Sequence, residues 1–168
     1  MNRRPNILPT GSSRTLETPI GPVGVVASEA GVRAVEFGGV PESAGSPGSR
    51  AMLARAADEL SGYFAGTRRV FTVPIDQPGT PFRQRVWQEL ARIPFGTTIS
   101  YGELARRIEN PSSVRAVGGA NGANRVPIIV PCHRVIAADG TLHGFGGGLQ
   151  IKRRLLEHEG ALEPLLVG

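Results

Sequence analysis

A single cysteine in 168 residues, Cys132, sets the terms on which this chain can fold. No internal disulfide and no four-Cys zinc site can be built, so packing and hydrogen bonding must hold the fold together. The length suits one large domain or two small ones. With 40% hydrophobic and 20% charged residues, wholesale disorder is excluded. The apolar run Val126 to Val130, interrupted by Pro127, is far short of the ~20 residues that span a bilayer. Arg3 and Arg4 have no apolar stretch behind them to make a secretory signal. A free thiol and no secretory signal predict an intracellular, cytoplasmic chain.

Charge is distributed unevenly. Residues 1–79 carry eight Arg against seven acids, whereas residues 81–134 carry eight Arg against only Glu89, Glu103 and Glu109. Such a concentration fits a surface that faces a polyanion, or a merely solvated face.

Residues 1–15 mix Arg, Pro, Gly and Ser without periodicity and read as a flexible tail. Turn signals at Pro19-Ile20-Gly21-Pro22 and Glu29-Ala30-Gly31 precede strands expected at Val23–Ala27 and Val32–Phe37. Val70–Ile75 is a third strand candidate. Helical spacing of Met52, Leu53, Ala56, Leu60, Tyr63 and Phe64 predicts a helix over 50–64. Residues 16–78 therefore read as a small α+β domain, an antiparallel sheet with one helix, lacking polar residues at catalytic spacing.

Residues 79–168 read as a second, mostly helical domain. Thr80-Pro81 opens a helix with Phe82, Val86, Trp87, Leu90 and Ile93 on one face, ended by Pro94-Phe95-Gly96. Ser100 and Glu103 stand at capping-box spacing before a short helix to about Ile108. Asn110-Pro111-Ser112 separates it from another, Val114 to about Asn121, and the pair predicts a winged-helix-like helix-turn-helix. Gly118 and Gly119 inside the second helix each cost about 1 kcal/mol relative to Ala. Either another surface approaches closely there, or the helix packs tightly on a neighbour.

The apolar run 126–130 leads into Pro131-Cys132-His133-Arg134-Val135. A free cysteine is usually a small buried hydrophobe. An unperturbed thiol is only about 3% thiolate at pH 7, but a base or a cation raises that share, and His133 and Arg134 offer one of each. Neighbours on a strand point to opposite faces, so a Cys–His contact needs an irregular backbone or a bridging water, which Pro131 favours. The stretch Gly144-Phe145-Gly146-Gly147-Gly148 lacks the setting of a phosphate loop and reads as a closing loop or a linker. A last amphipathic helix, Ile151–His158, ends at Glu159. That carboxylate either orients His133 in a nucleophile–base–acid relay or is a solvated helix end.

From Gly79 to Gly160 the sequence closely resembles the O6-alkylguanine-DNA alkyltransferases, the methylated-DNA–protein-cysteine methyltransferases. The match is carried by Thr80-Pro81-Phe82, Val86-Trp87, Ile93-Pro94-Phe95-Gly96, Ser100-Tyr101-Gly102, Arg115-Ala116-Val117-Gly118, Asn124 and Pro131-Cys132-His133-Arg134-Val135. Gly147-Gly148-Leu149, Lys152, Leu155-Leu156 and Glu159-Gly160 complete it, and Thr18-Pro19-Ile20-Gly21-Pro22 resembles the start of the family's N-terminal domain.

The resemblance implies single-turnover repair of double-stranded DNA containing O6-alkylguanine, with Cys132 as alkyl acceptor and no cofactor or metal. It implies that His133 deprotonates Cys132 through a water, that Glu159 holds His133, that Tyr101 protonates the leaving base and that Lys152 assists nearby. Asn124 would organise the turn before the cysteine. Arg115 would fill the stack left by the flipped base, and Ala116, Gly118, Gly119 and Ala120 would let the recognition helix enter the minor groove. Val135, Phe145, Gly146 and Trp87 would line the base pocket, the carbonyls of Cys132 and Val135 holding the guanine amino group. A monomer in solution located with the nucleoid is expected; cooperative assembly on DNA, alkyl-size preference and activity on O4-alkylthymine stay open. Three departures from the family pattern stand out: Phe145 where Tyr is frequent, Gly146 where some relatives have Ser, and Arg125 where Pro is usual, which predicts a looser turn. A lesion-binding relative without transfer, a helix-turn-helix regulator and a turnover Cys-His hydrolase are the competing readings.

Overall fold

A computed structural model describes residues 11–164. Strands β1 (Ser12–Thr18), β2 (Gly21–Ala27) and β3 (Val32–Phe37) form an antiparallel sheet in that order, with Pro19 and Ile20 as the turn between the first two. Helix α1 (Pro47–Phe64) lies against the sheet and buries Leu53, Ala56, Ala57, Leu60 and Tyr63. It starts three residues before the spacing predicted, because Ser46 and Ser49 cap each other's backbone and Pro47 fits the first turn.

Two sequence expectations fail here. Residues 12–15 are not tail but the first half of β1, while residues 1–10 of that expectation lie outside the described residues. The start of the strand escaped notice because its first two buried residues are polar. Ser12 and Ser13 are buried, and their hydroxyls donate to the carbonyls of Ala44 and Pro41. Val70–Ile75 forms no strand, only an isolated bridge between Val32 and Ile75. The buried carboxylate of Glu59 on α1 accepts the backbone N–H groups of Thr72 and Val73, taking donors that a sheet ladder would need.

The second half contains α2 (Pro81–Leu90), β4 (Ile99–Ser100), α3 (Tyr101–Arg107), α4 (Val114–Gly122), a 3-10 turn at Cys132–Arg134, β5 (Val135–Ile136) and α5 (Leu149–His158). The Thr80 side chain caps α2, and Ser100 accepts the Glu103 N–H to start α3. Helices α3 and α4 pack together as the helix-turn-helix. The two residues of β4 pair in parallel with β5, Ile99 beside Val135 and Ser100 beside Ile136. This short ladder sets Tyr101, the first residue of α3, near the cysteine segment. One continuous apolar core runs through both halves, from Val23 and Leu60 to Leu104 and Leu155. No helix among the described residues is long and apolar enough to cross a membrane.

Candidate active site

Two γ-turns deliver Cys132. Ile128 has φ +72°, and the Ile129 N–H donates to Pro127 O at 2.9 Å. Pro131, at φ −82° and ψ 65°, lets the Cys132 N–H donate to Val130 O at 2.8 Å. A β-branched residue at positive φ costs about 1–3 kcal/mol, and complete burial of Ile128 in the core holds it there. Asn124 clamps the segment: its Nδ2 donates to Val130 O at 2.8 Å and its Oδ1 accepts the Val126 N–H at 3.1 Å. The looser turn expected from Arg125 is not found. Its N–H donates to Gln77 Oε1 at 2.5 Å and its carbonyl accepts from Val35 N–H at 2.9 Å, so both backbone groups are tied to the first half.

Cys132 begins the 3-10 turn and is 5% exposed. Burial pushes its thiol up, while the Asn124 amide, the Lys152 cation and the N–H groups of Cys132 and His133 pull it down. His133 is fully buried, with Nε2 2.7 Å from Glu159 Oε1. Burial lowers the His133 pKa, so the ring is neutral at pH 7. Burial by itself would raise the Glu159 carboxyl, but hydrogen bonds from His133 and Arg134 outweigh it and hold the group at about 2. A carboxylate can only accept, so the imidazole proton sits on Nε2 and leaves the lone pair on Nδ1. Nδ1 is buried and has no hydrogen-bond partner among the described residues. That is the arrangement of a base awaiting a proton.

Arg134 does not serve the thiol as the sequence suggested. It grips Glu159 through Nε (2.9 Å) and Nη2 (2.8 Å) and donates Nη1 to Ile93 O at 2.6 Å. The cation nearest in effect to the sulfur is Lys152. Its ammonium is fully buried and bonds the carbonyls of Val135 (2.7 Å) and His143 (2.8 Å). The second of these bonds also ties the 137–148 loop to the body.

Above the thiol opens a cavity of ≈ 380 Å³, lined by Cys132, Tyr101, Gly118, Asn124, Phe145 and Gly146, with Val35, Glu36 and Phe37 of β3 completing the wall. Burial followed by the thiol's charge raises the Tyr101 pKa, which keeps the phenol protonated. Phe145 packs on Phe37 with ring centroids 5.5 Å apart. Two residues assigned to the base pocket stand elsewhere. Trp87 is buried between helices, donating Nε1 to Ala120 O at 2.9 Å, and the Val135 side chain is core, its carbonyl already accepting from Lys152. Ala120 is likewise corrected: it is 3% exposed and faces α2, whereas Arg115, Ala116 and Gly119 point outward. Helical periodicity requires this division, since Val117, Ala120 and Asn121 share the inner face.

The helix glycines are not required by internal packing. A Cβ on Gly118 would meet only Tyr101 Cδ1, at 3.9 Å, and one on Gly119 would meet nothing within 4 Å. Sequence reasoning missed Phe37, Tyr63 and Gln77, all from the first half. Tyr63 donates to Glu159 Oε1 at 2.9 Å across 96 positions of chain. No local pattern announces such a contact.

Residues 13–77 match the family model described as 6-O-methylguanine DNA methyltransferase, ribonuclease-like domain, and residues 81–161 match its DNA binding domain. The chain belongs to this family. The methylated-DNA–protein-cysteine methyltransferase of Mycobacterium tuberculosis (strain H37Rv) is 45% identical over 154 residues, covering 90% of this chain and 93% of that protein. The crystal structure of the M. tuberculosis OGT in complex with DNA has a TM-score of 0.77 at 44% identity, covering 89% of this chain and 92% of that one. The O6-methylguanine-DNA methyltransferase of Pyrococcus kodakaraensis has a TM-score of 0.55 at 26% identity, over 89% and 98% of the two chains. Membership in the family removes the regulator and hydrolase readings.

Proposed function

We propose that Cys132 accepts the methyl group in the reaction for which this family is named, the repair of O6-methylguanine in DNA. The Cys132 thiolate attacks the alkyl carbon; an S–C bond forms as the C–O6 bond breaks, and the electron pair stays on the base. His133 takes the thiol proton at Nδ1, with a water between them, and Tyr101 supplies a proton to the departing guanine. The thioether is not cleaved, so each molecule acts once. One observation carries this reading. Glu159 commits the Nε2–H of a neutral, buried His133, which leaves a basic nitrogen without a partner among the described residues on the residue next in sequence to the chain's only thiol.

A base in a duplex cannot reach a thiol 5% exposed at the foot of a cavity, so the lesion must be flipped out at a cost of a few kcal/mol. Arg115, exposed on α4, fills the gap, and Ala116, Gly118 and Gly119 let the helix backbone approach the minor groove. Backbone carbonyls and N–H groups around Cys132 and Gly146 read the flipped guanine, and Lys152 braces the wall. A substrate in chromosomal DNA supports a location in the cytoplasm with the nucleoid.

The test is the intact mass of the protein after incubation with a duplex carrying one O6-methylguanine. One added methyl on the Cys132 peptide is expected, and none in Cys132→Ser. Binding of the lesion with no mass change would establish recognition without transfer instead.

A further inference from the structure

We infer that Gln77, in the segment between α1 and α2, is a positioning residue for Cys132: together with the Val126 N–H it fixes which end of the Asn124 side-chain amide faces the thiol. The inference rests on Cys132 being the methyl acceptor.

Gln77 is 7% exposed, and both ends of its amide are engaged. Its Oε1 accepts from the Arg125 N–H at 2.5 Å, and its Nε2 donates to Asn124 Oδ1 at 3.1 Å. A backbone N–H can only donate, so Arg125 settles which end of Gln77 is oxygen. The NH2 of Gln77 then faces Asn124, and only an oxygen can receive it. Asn124 Nδ2 is thereby turned toward Val130 O, 2.8 Å away, on the wall of the cavity that Asn124 shares with Cys132, where an N–H donor favours the thiolate. A flipped Asn124 would present an oxygen to a carbonyl and to an anion at once.

The chain of amides thus runs from a main-chain N–H to Asn124, which lines the cavity with the reacting thiol. The Gln77 backbone is itself held from α2, where Gln84 Nε2 donates to Gln77 O at 2.6 Å. Arg125 enters the scheme through its main-chain N–H, which a proline there would not have. The Val126 N–H also bonds Asn124 Oδ1, so loss of Gln77 weakens the orientation without abolishing it.

Gln77→Met keeps the length of the side chain and removes both hydrogen bonds. Single-turnover transfer from an O6-methylguanine duplex is measured against pH for the full chain and this variant, with DNA affinity and thermal midpoint in parallel. The other groups that face the thiol, Lys152, Tyr101 and the neighbouring His133, are untouched. The apparent thiol pKa is expected to rise by about one unit and the neutral-pH rate to fall about tenfold, with DNA affinity unchanged. Arg125→Pro, which leaves every side chain of the chain of amides in place, is expected to move the profile in the same direction by less. It supplies the answer should Gln77→Met not fold. A wild-type pH profile in the folded variants overturns the inference, and a lowered thermal midpoint without a profile shift does so too, since Gln77 would then only pack. Failure of the wild-type protein to gain a methyl would instead sink the acceptor assignment.

Discussion

At Glu159 a buried carboxylate accepts at once from His133, from the forked guanidinium of Arg134 and from Tyr63. Removing the charge leaves the Arg134 guanidinium buried without its counter-ion, and breaking a buried ion pair on one side costs about 3–5 kcal/mol. Glu159→Gln is therefore expected to destabilise the protein by about that amount in urea titration. It should also slow transfer, because an amide oriented by Arg134 no longer holds the Nε2–H tautomer of His133. Stability loss with an unchanged transfer rate would show that His133 does not act through its free nitrogen. At this scale the motif around Cys132 was readable, because its members are neighbours in the chain. The partner of Arg134 was not, since Glu159 lies 25 positions away and nothing local distinguishes an arginine aimed at a thiol from one aimed at a carboxylate.

Helix α4 carries glycines that packing within the described residues does not require. Two consecutive glycines weaken it, yet neither is crowded from within. Gly119→Ala is expected to stabilise the protein by about 1 kcal/mol in thermal or urea unfolding. The same methyl on the outer face should weaken DNA binding in a fluorescence anisotropy titration. If affinity were unaffected, α4 would not be the docked helix. Element boundaries were legible wherever apolar periodicity and caps coincide, as at Thr80-Pro81 and Ser100. They were not legible where polar side chains replace the pattern: Ser12 and Ser13 bury hydroxyls in a strand, and Glu59 unmakes the strand expected at Val70–Ile75.

For the molecule as a whole, the buried relay links stability to pH. The pKa of His133 is lowered by folding, so the unfolded chain binds a proton first, near the ordinary value of about 6.5, and stability falls as pH drops below it. Glu159 is lowered too, to about 2, so its contribution is present above the usual carboxylate range and is lost as pH falls from about 4 toward that value. Denaturant unfolding at pH 7, 5 and 3 should show a progressive loss, and Glu159→Gln should flatten its lower part. Transfer should also slow in acid as the relay takes up protons, and burial of His133 sets that fall below the ordinary imidazole value of about 6.5; a fall in rate centred at or above that value would remove His133 as the base.

The order of helices, the basic second half and the thiol–imidazole pair follow from residues close together in the chain, where spacing and capping are decided by local backbone geometry. The first half's share in the site followed only from the tertiary structure: Phe37 in the cavity wall, Tyr63 on Glu159 and Gln77 on Asn124. Those contacts join distant segments through one continuous core, and the pairing of a buried polar atom depends on which partner packing brings within about 3 Å.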